Sequence, residues 1–407
     1  MNWIRPFSLI APPANKSHLV ASRSYVTYSK GELRDKLERN PYSYLHVINP
    51  TGNGSKEVKR GTVPFFKKVK ERYNDFKDKG WLLEHEGDRL VVYRQSTEQH
   101  TCTGIVAGLS IESIRAGKLK LHEQTLKRRE QLFAKYLETV ECNAEPVLCA
   151  FDDMSTTTAD EVKRRIKTVA EQRPDMDFTT TDRIRHTLWI LTNAESLALS
   201  DKVQGLSPLY LADGHHRVAS SLILEEMESN KKGDATLMAY IIPESELIIK
   251  GYHRGLKEVN WTSEEWEDAL DKLSDSVDYV RLNRKDLAAP SRVGIIHLHT
   301  AECTWKITLK ASSVDLVDAQ ILQTSVFEAV FGINDARNDP RLTYIPGTQN
   351  TSELLQQLSG QTNRVVFEMH PISTAQIKAT ADRSGFLPPK SSWIEPKLRS
   401  GLFIHEI

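Results

Sequence analysis

The feature that most constrains the fold of this chain is the segment 209–217, LYLADGHHR, in which an apolar run ends in a glycine-containing turn. The apolar residues 209–212 predict a buried strand, and the apolar spacing in residues 218–227 predicts a helix. Gly214 can adopt the positive φ that a sharp change of direction requires. The segment therefore predicts a strand, a turn and a helix in immediate succession, as in α/β proteins.

The predicted turn concentrates hydrogen-bond donors and ionisable groups at the start of a helix. The first N–H groups of a helix lack partners within it and carry partial positive charge, so a helix start attracts anions. Arg217 can bind two phosphate oxygens at once, and Asp213 can cap the helix or hold a magnesium ion. The predicted phosphate- or nucleotide-binding residues are Gly214, His215, His216 and Arg217. The competing interpretation is a capped helix with surface histidines.

A second segment, LKLHEQT at residues 119–125, precedes a predicted helix at residues 132–140. Its carboxylate, Glu123, is a candidate general base, since a carboxylate beside a bound hydroxyl can take its proton during phosphoryl transfer. The alternative is a solvated strand edge. The candidate catalytic residues are therefore Glu123, Asp213 and His216.

Other polar residues are candidates for contacts with a substrate. Some lie in the second segment, some precede a predicted strand, and some lie in a proline-punctuated segment whose cations could fold over an anion. These candidates are His122, Thr125, Arg185, His186, Lys390, Lys397 and Arg399. For each of them, a solvated surface position is the alternative.

Two histidines suggest a different kind of site. His297 and His299 are two residues apart on a predicted strand, so their side chains point to the same face. A metal-binding pair is one hypothesis, but no third ligand is evident from the sequence alone. The competing interpretation is an exposed face of the strand.

The order of these elements resembles that of a known fold. Residues 115–255 resemble the ParB/sulfiredoxin-like fold. The matching order is Leu-x-x-His-Glu, a helix, a Pro-Val-Leu strand, and then a strand followed by Asp-Gly-His-His-Arg and a helix. Free serine kinases, which phosphorylate L-serine with a nucleotide donor, belong to that fold. The resemblance implies Glu123 as catalytic base and Asp213, His215, His216 and Arg217 as phosphate- and nucleotide-binding residues. Sulfiredoxins carry a catalytic cysteine at the position of His215, so sulfinic-acid repair is not expected.

Over its whole length the chain is identified as a member of the domain of unknown function family 1015, which is described as serine-kinase-like. The matching stretches are residues 40–43, 93–95, 185–189, 212–217, 388–393 and 395–402. Two stretches, ASRSYV at 21–26 and PGTQN at 346–350, depart from the common family pattern. If either loop binds the substrate, the substrate of this chain can differ from that of the family.

These observations predict an α/β (α+β mixed) fold with three regions. Residues 1–114 are expected to pack on the core, and residues 115–260 to form a ParB/sulfiredoxin-like catalytic core with a polar insertion at 152–182. Residues 261–407 are expected to form a C-terminal α+β region. A capping-box sequence, TSEE at 262–265, marks the start of a helix just beyond the boundary.

Charge and cysteine content exclude several classes of protein. Lys+Arg and Asp+Glu both number 54, so no bulk attraction to nucleic acid or to a membrane is expected. Four scattered cysteines without a CxxC pair do not form a disulfide framework. We found neither a signal peptide nor an apolar run long enough to span a membrane, and we expect a cytoplasmic protein.

Three functions remain open at this point. The first is a serine kinase that uses ATP or ADP as co-substrate together with magnesium, and the second is a phosphoserine phosphatase that uses the same pocket. The third is a nucleotide-binding regulatory protein without turnover. The expected partners are serine or phosphoserine and a nucleotide, and a homo-oligomer is compatible with the sequence.

Overall fold

The computed structural model describes residues 2–50, 58–154, 156–227, 235–285, 287–310, 317–336 and 338–407. The strands are β1 (Ile4–Arg5), β2 (Phe7–Ala11), β3 (Leu83–Arg89), β4 (Val91–Ser96), β5 (Thr101–Ser110), β6 (Leu119–Lys120), β7 (Cys142–Asn143), β8 (Val147–Phe151), β9 (Met176–Thr179), β10 (Arg185–Ile190), β11 (Leu209–Asp213), β12 (Thr236–Pro243), β13 (Ile248–Lys250), β14 (Tyr252–Lys257), β15 (Val277–Arg281), β16 (Ile295–His299), β17 (Thr304–Leu309), β18 (Leu342–Pro346), β19 (Arg364–Met369), β20 (Trp393–Glu395) and β21 (His405–Glu406). The α-helices are α1 (Ser17–Val20), α2 (Lys30–Arg39), α3 (Leu45–Ile48), α4 (Val63–Asp78), α5 (Ile111–Arg115), α6 (Lys127–Val140), α7 (Thr157–Ala170), α8 (Asn193–Val203), α9 (His215–Met227), α10 (Ser263–Asp271), α11 (Asp318–Leu322), α12 (Ala329–Phe331), α13 (Thr351–Leu358) and α14 (Thr374–Asp382).

The described chain divides into two compact units. The first comprises residues 1–120, 125–247 and 396–407, and the second comprises residues 121–124 and 248–395. The first unit therefore takes strands from both the predicted N-terminal region and the predicted core. Among the described residues, no helix combines the length and apolar character needed to cross a bilayer.

The first unit contains a nine-stranded mixed sheet. Its strand order is β6-β11-β8-β12-β5-β4-β10-β9, with β1 beside β5. The pairs β11–β6 and β12–β8 are parallel, whereas β11–β8 and β12–β5 are antiparallel. All five residues of β8 are apolar and buried, as expected of a strand covered on both faces. This arrangement confirms the predicted mixed α/β class.

Helices of the first unit follow the predicted apolar spacing, with one difference. In α4, Phe65, Val69, Tyr73 and Phe76 are buried, as the spacing predicts. In α6, the helical spacing of Leu132, Phe133, Tyr136, Leu137 and Val140 predicts an apolar stripe. That stripe is covered only in part, because Leu132 and Phe133 remain exposed although α6 packs against α4 and α9. Helical spacing assigns a side chain to a stripe, but the neighbouring elements decide how much of that stripe is covered.

The second unit contains a six-stranded antiparallel sheet in the order β15-β17-β16-β19-β14-β18. Residues 304–309 alternate between polar and apolar side chains, which predicts a half-buried strand, and the apolar Trp305, Ile307 and Leu309 of β17 are buried accordingly. The predicted capping box is also present: the Thr262 hydroxyl accepts a hydrogen bond from the Glu265 N–H, and the Glu265 carboxylate accepts one from the Thr262 N–H. In this strand order, β16 and β19 are neighbours in the middle of the sheet.

Candidate functional site

The predicted strand-to-helix turn at residues 213–217 is present in the first unit. Strand β11 ends at Asp213, Gly214 has a φ of 108°, and α9 begins at His215. The Gly214 carbonyl accepts hydrogen bonds from the Arg217 N–H at 2.8 Å and the Val218 N–H at 3.1 Å, which start the helix. The turn therefore has the conformation that the sequence predicts, with a helix N-terminus directly after an interior strand.

Gly214 is required there for two reasons, and a substitution tests both. Its φ lies in the left-handed region, and an added Cβ would come within 2.7 Å of Val147 Cγ1. We expect Gly214→Ala to lower the free energy of unfolding by about 1–3 kcal/mol, measured by urea titration. Gly360→Ala is the matched control, since Gly360 also has a positive φ but an added Cβ there meets no atom within 4 Å. Equal losses in the two variants would contradict a steric contribution from Val147.

Asp213 lies among positive charges at this turn. Its Oδ2 atom is 3.5 Å from Lys397 Nζ and 3.9 Å from Arg217 Nη2, and its side chain is 42% exposed. Burial raises the pKa of Asp213, but the charges of Lys397, Arg217 and His215 outweigh that effect and leave the pKa below its ordinary value. Asp213 is therefore a carboxylate at neutral pH, and water can reach it.

A carboxylate of this kind fits magnesium. Magnesium prefers oxygen ligands and is commonly held by one or two carboxylates together with substrate phosphates and water. Asp213 could supply one such oxygen, while the remaining ligands would come from the phosphate and the solvent. The Lys397 ammonium would then have to move from Asp213 towards the phosphate.

Arg217 has partners of its own. Its Nη1 atom is 2.8 Å from Glu145 Oε1 and donates to the backbone carbonyls of Glu145 and Pro146. Glu145 in turn accepts a hydrogen bond of 2.8 Å from the Ser400 hydroxyl. Glu145 could not be predicted as a partner of Arg217, because a single glutamate before a proline carries no sequence pattern. Binding of a phosphate by Arg217 would compete with these contacts.

Two further predicted residues, His186 and Arg399, are buried and belong to a hydrogen-bonded chain that also includes the exposed Asp182. The Tyr93 hydroxyl is 2.6 Å from His186 Nδ1, and His186 Nε2 is 3.3 Å from the Thr180 hydroxyl. That hydroxyl donates to Asp182, which also accepts a 2.7 Å hydrogen bond from Arg399 Nη2. Burial and the Arg399 charge lower the pKa of His186 to about 3, so its imidazole is neutral at pH 7. The Tyr93 hydroxyl therefore donates to Nδ1, and Nε2–H donates to Thr180.

This buried imidazole predicts a loss of stability in acid. The pKa of His186 in the folded protein, about 3, lies below the ordinary 6.5, so the unfolded chain binds more protons as the pH falls. The contribution of His186 is complete above about pH 6.5 and declines as the pH falls towards 3. Between pH 7.5 and 5.5 we expect His186 to contribute a loss of about 1.4 kcal/mol to the free energy of unfolding, measured by urea titration.

His186→Gln should remove that part of the pH dependence, whereas His18→Gln, at an exposed histidine, should retain it. If the His186→Gln variant lost stability over this pH range as steeply as the parent, a different group would cause the loss.

The other candidate residues divide between the units. In the first unit, Arg185 forms a two-bond ion pair with Asp177, and the Thr125 hydroxyl donates to Glu130. In the second unit, the His122 carbonyl accepts a hydrogen bond from the Leu387 N–H. The candidates that lie in the second unit are His122, Glu123 and Lys390. The substrate contacts of all these residues remain predictions.

The two histidines in β16 differ from the exposed strand face considered above. His297 and His299 are 5% and 0% exposed, so that interpretation is wrong. They lie beside Glu368 of β19, with one ligand atom of each residue within 4.8 Å of the others. The sequence could not identify Glu368, because it is separated from His299 by 69 positions and the strand pairing was not predicted.

Comparison with solved structures gives distant likenesses. SbnI from Staphylococcus aureus, with a C-terminal truncation, has 12% identity and a TM-score of 0.37, covering 71% of this chain and 82% of SbnI. A free serine kinase in complex with AMP has 12% identity and a TM-score of 0.38, covering 73% and 91%. A conserved hypothetical protein from Pyrococcus furiosus has 13% identity and a TM-score of 0.37, covering 73% and 95%. Likenesses this remote carry no argument about function.

Comparison with sequences identifies the family more clearly than comparison with solved structures does. No curated protein sequence matches the chain. A family model described as "Protein of unknown function (DUF1015)" matches residues 4–327, which is most of the chain. The stretches quoted above as typical of family 1015 that fall inside this range include the turn at residues 212–217. The chain therefore belongs to the DUF1015 family.

Proposed function

We propose that the protein transfers a phosphoryl group between a nucleotide and the hydroxyl of free L-serine or a closely similar hydroxy amino acid. The observation that carries the proposal is the cluster of charges at the start of α9. A carboxylate, Asp213, lies within 4 Å of the cations Lys397 and Arg217 at a helix N-terminus. Phosphoryl transfer is catalysed mainly by positioning and by cations that neutralise charge on the transferred group, and this cluster supplies both.

Each group at the turn has a role in this proposal. The helix start and Arg217 bind the phosphate oxygens, with His215 and His216 as further donors. Asp213 would hold magnesium, which would supply positive charge to the phosphates of ATP or ADP. Lys397 balances the charge of Asp213 before the nucleotide binds and contacts the phosphate afterwards.

The proposed general base is Glu123, as the family resemblance implies. Its carboxylate would take the proton of the serine hydroxyl as the oxygen attacks the phosphorus atom. Arginine cannot serve in this role at neutral pH, because its guanidinium does not lose a proton. His122, Thr125, Arg185, His186, Lys390 and Arg399 remain candidates for contacts with the substrate.

One set of incubations tests the proposal against its two alternatives. The protein is incubated with magnesium and L-serine plus ATP or ADP, and separately with O-phosphoserine alone, and phosphoserine, serine, nucleotides and inorganic phosphate are quantified. Nucleotide-dependent formation of phosphoserine supports the kinase. Release of inorganic phosphate from phosphoserine without nucleotide would identify a phosphatase. Nucleotide binding by calorimetry without any turnover would identify a regulatory protein and contradict the proposal.

A further inference from the structure

A second polar cluster lies in the six-stranded sheet of the second unit. In the pairing of β16 with β19, His297 is directly opposite Glu368, and His299 lies two residues further along the same face. His299 Nε2 is 2.9 Å from Glu368 Oε2, and His297 Nδ1 is 3.7 Å from the same oxygen. Strand pairing therefore brings two imidazoles close to one carboxylate.

The burial of these three side chains raises the question of how their polar atoms are satisfied. The three residues are 5%, 0% and 2% exposed, and buried polar atoms are almost always hydrogen-bonded. His297 Nδ1 nevertheless has no hydrogen-bond partner among the described residues, although it is directed at Glu368. A buried nitrogen in this position costs free energy unless a further atom binds it.

The distances suit a metal ion. Zinc binds histidine nitrogen and carboxylate oxygen at about 2.0–2.2 Å, so ligand atoms at tetrahedral angles lie roughly 3.3–3.6 Å apart. The two distances to Glu368 Oε2, 2.9 Å and 3.7 Å, fall on either side of that range. All three ligand atoms lie within 4.8 Å of one another, so side-chain rotations would have to bring them to coordination distance.

The outer contacts also fit. The Thr304 hydroxyl is 3.0 Å from His299 Nδ1, and the Thr351 hydroxyl donates to Glu368 Oε1 at 2.8 Å. A hydroxyl can donate or accept, so Thr304 can stabilise either tautomer of His299. When a metal binds Nε2, Nδ1 carries the proton and donates a hydrogen bond to the Thr304 hydroxyl. A ligating histidine is usually oriented by a hydrogen bond of this kind.

We propose that His297, His299 and Glu368 bind a divalent transition-metal ion, with zinc as the ion to test first. Imidazole ligands favour zinc and its neighbours over magnesium. Among the described residues the group has three protein ligands, and three with a fourth position for water or substrate is the pattern of a catalytic zinc site. Glu368 also lines a cavity of about 420 Å³, together with Lys250, His253 and Thr351. A ligand in that cavity would therefore lie against the carboxylate that holds the metal.

Metal analysis of the full chain tests the site. After treatment with EDTA and dialysis, the protein is titrated with Zn²⁺ by calorimetry, and bound metal is measured by mass spectrometry. We expect one zinc per chain. Cobalt should bind in its place and give the intense visible absorption of a low-coordinate Co²⁺ site. A parent protein that binds neither ion at micromolar concentration would show that the cluster is only a buried hydrogen-bonded network, and the proposal would fail.

Substitutions then identify the ligands. Thr351→Val removes an outer contact and should weaken zinc binding by about 10–100-fold. Glu368→Gln and His297→Gln each remove a ligand and should weaken it by more than that. His253→Gln is the matched control: His253 is a buried histidine of the same sheet that accepts a hydrogen bond from the Met369 N–H and is not in the group. It should bind zinc as the parent does.

Equal binding by Glu368→Gln and the parent would overturn the ligand assignment. Loss of binding in His253→Gln, with circular dichroism unchanged, would also overturn it. If a ligand variant does not fold, the zinc content and cobalt spectrum of the parent and of Thr351→Val still decide the question.

Discussion

Glu123→Gln is expected to lower turnover in the serine phosphorylation assay by about 100-fold or more, the usual scale for the loss of a general base. The substitution keeps the size and polarity of the side chain but removes the group that accepts the proton. Nucleotide and phosphoserine affinities should change little, because the amide can still form hydrogen bonds. Steady-state rates measured beside calorimetric binding separate the two effects.

The matched control is Glu264→Gln, which removes an exposed glutamate from the first turn of α10 in the same unit. It should leave the rate unchanged. A Glu123→Gln enzyme that turned over at the parental rate would show that Glu123 is not the base and that the family resemblance misassigns this residue.

Arg217→Ala should weaken the binding of phosphate ligands by about 1.5–3 kcal/mol, as for the loss of a hydrogen bond to a charged group. The corresponding increase in Kd is roughly 10- to 160-fold. The side chain is 21% exposed and already contacts Glu145, so its removal also leaves that carboxylate without its cation. Binding must therefore be measured together with urea unfolding, to separate weaker affinity from a less stable fold.

Glu145→Gln distinguishes a binding role for Arg217 from a purely structural one. If Arg217 binds phosphate, removal of the competing negative charge should leave affinity equal or increase it. If Arg217 serves only to hold Glu145, both substitutions should impair the protein in the same direction. Arg217→Lys should recover only part of the affinity, because an ammonium cannot bind two oxygens in the planar geometry of a guanidinium.

The turn at residues 213–217 could be predicted because all of its determinants are local. Four apolar residues, one glycine and a helical pattern follow one another, and each restricts the backbone independently of the rest of the chain. The same holds for α4 and for the capping box of α10. Local patterns of this kind were sufficient for the fold class and for the position of the anion-prone helix start.

The surroundings of the turn depend on residues far away in the sequence and could not be predicted in the same way. Lys397 approaches Asp213 across 184 positions, and Glu145 approaches Arg217 across 72. The metal-ligand group shows the same limit, since Glu368 reaches the two histidines only through the pairing of β16 with β19. A single sequence contains no signal for strand pairing at that distance, so the partners of predicted residues emerged only with the structure.

The route of the chain through the first unit has a consequence for its biosynthesis. Residues 396–407 return to this unit after the whole of the second unit, and they bring Lys397 to Asp213 and pair β21 with β7. Phe403 and Ile404 are also almost completely buried there. On the ribosome, the second unit therefore has all of its residues available before the first unit can close its core. A nascent chain stalled before residue 396 would lack Ile404, so the apolar residues that pack with it would be less covered, and exposed apolar surface is what chaperones and quality-control proteases recognise.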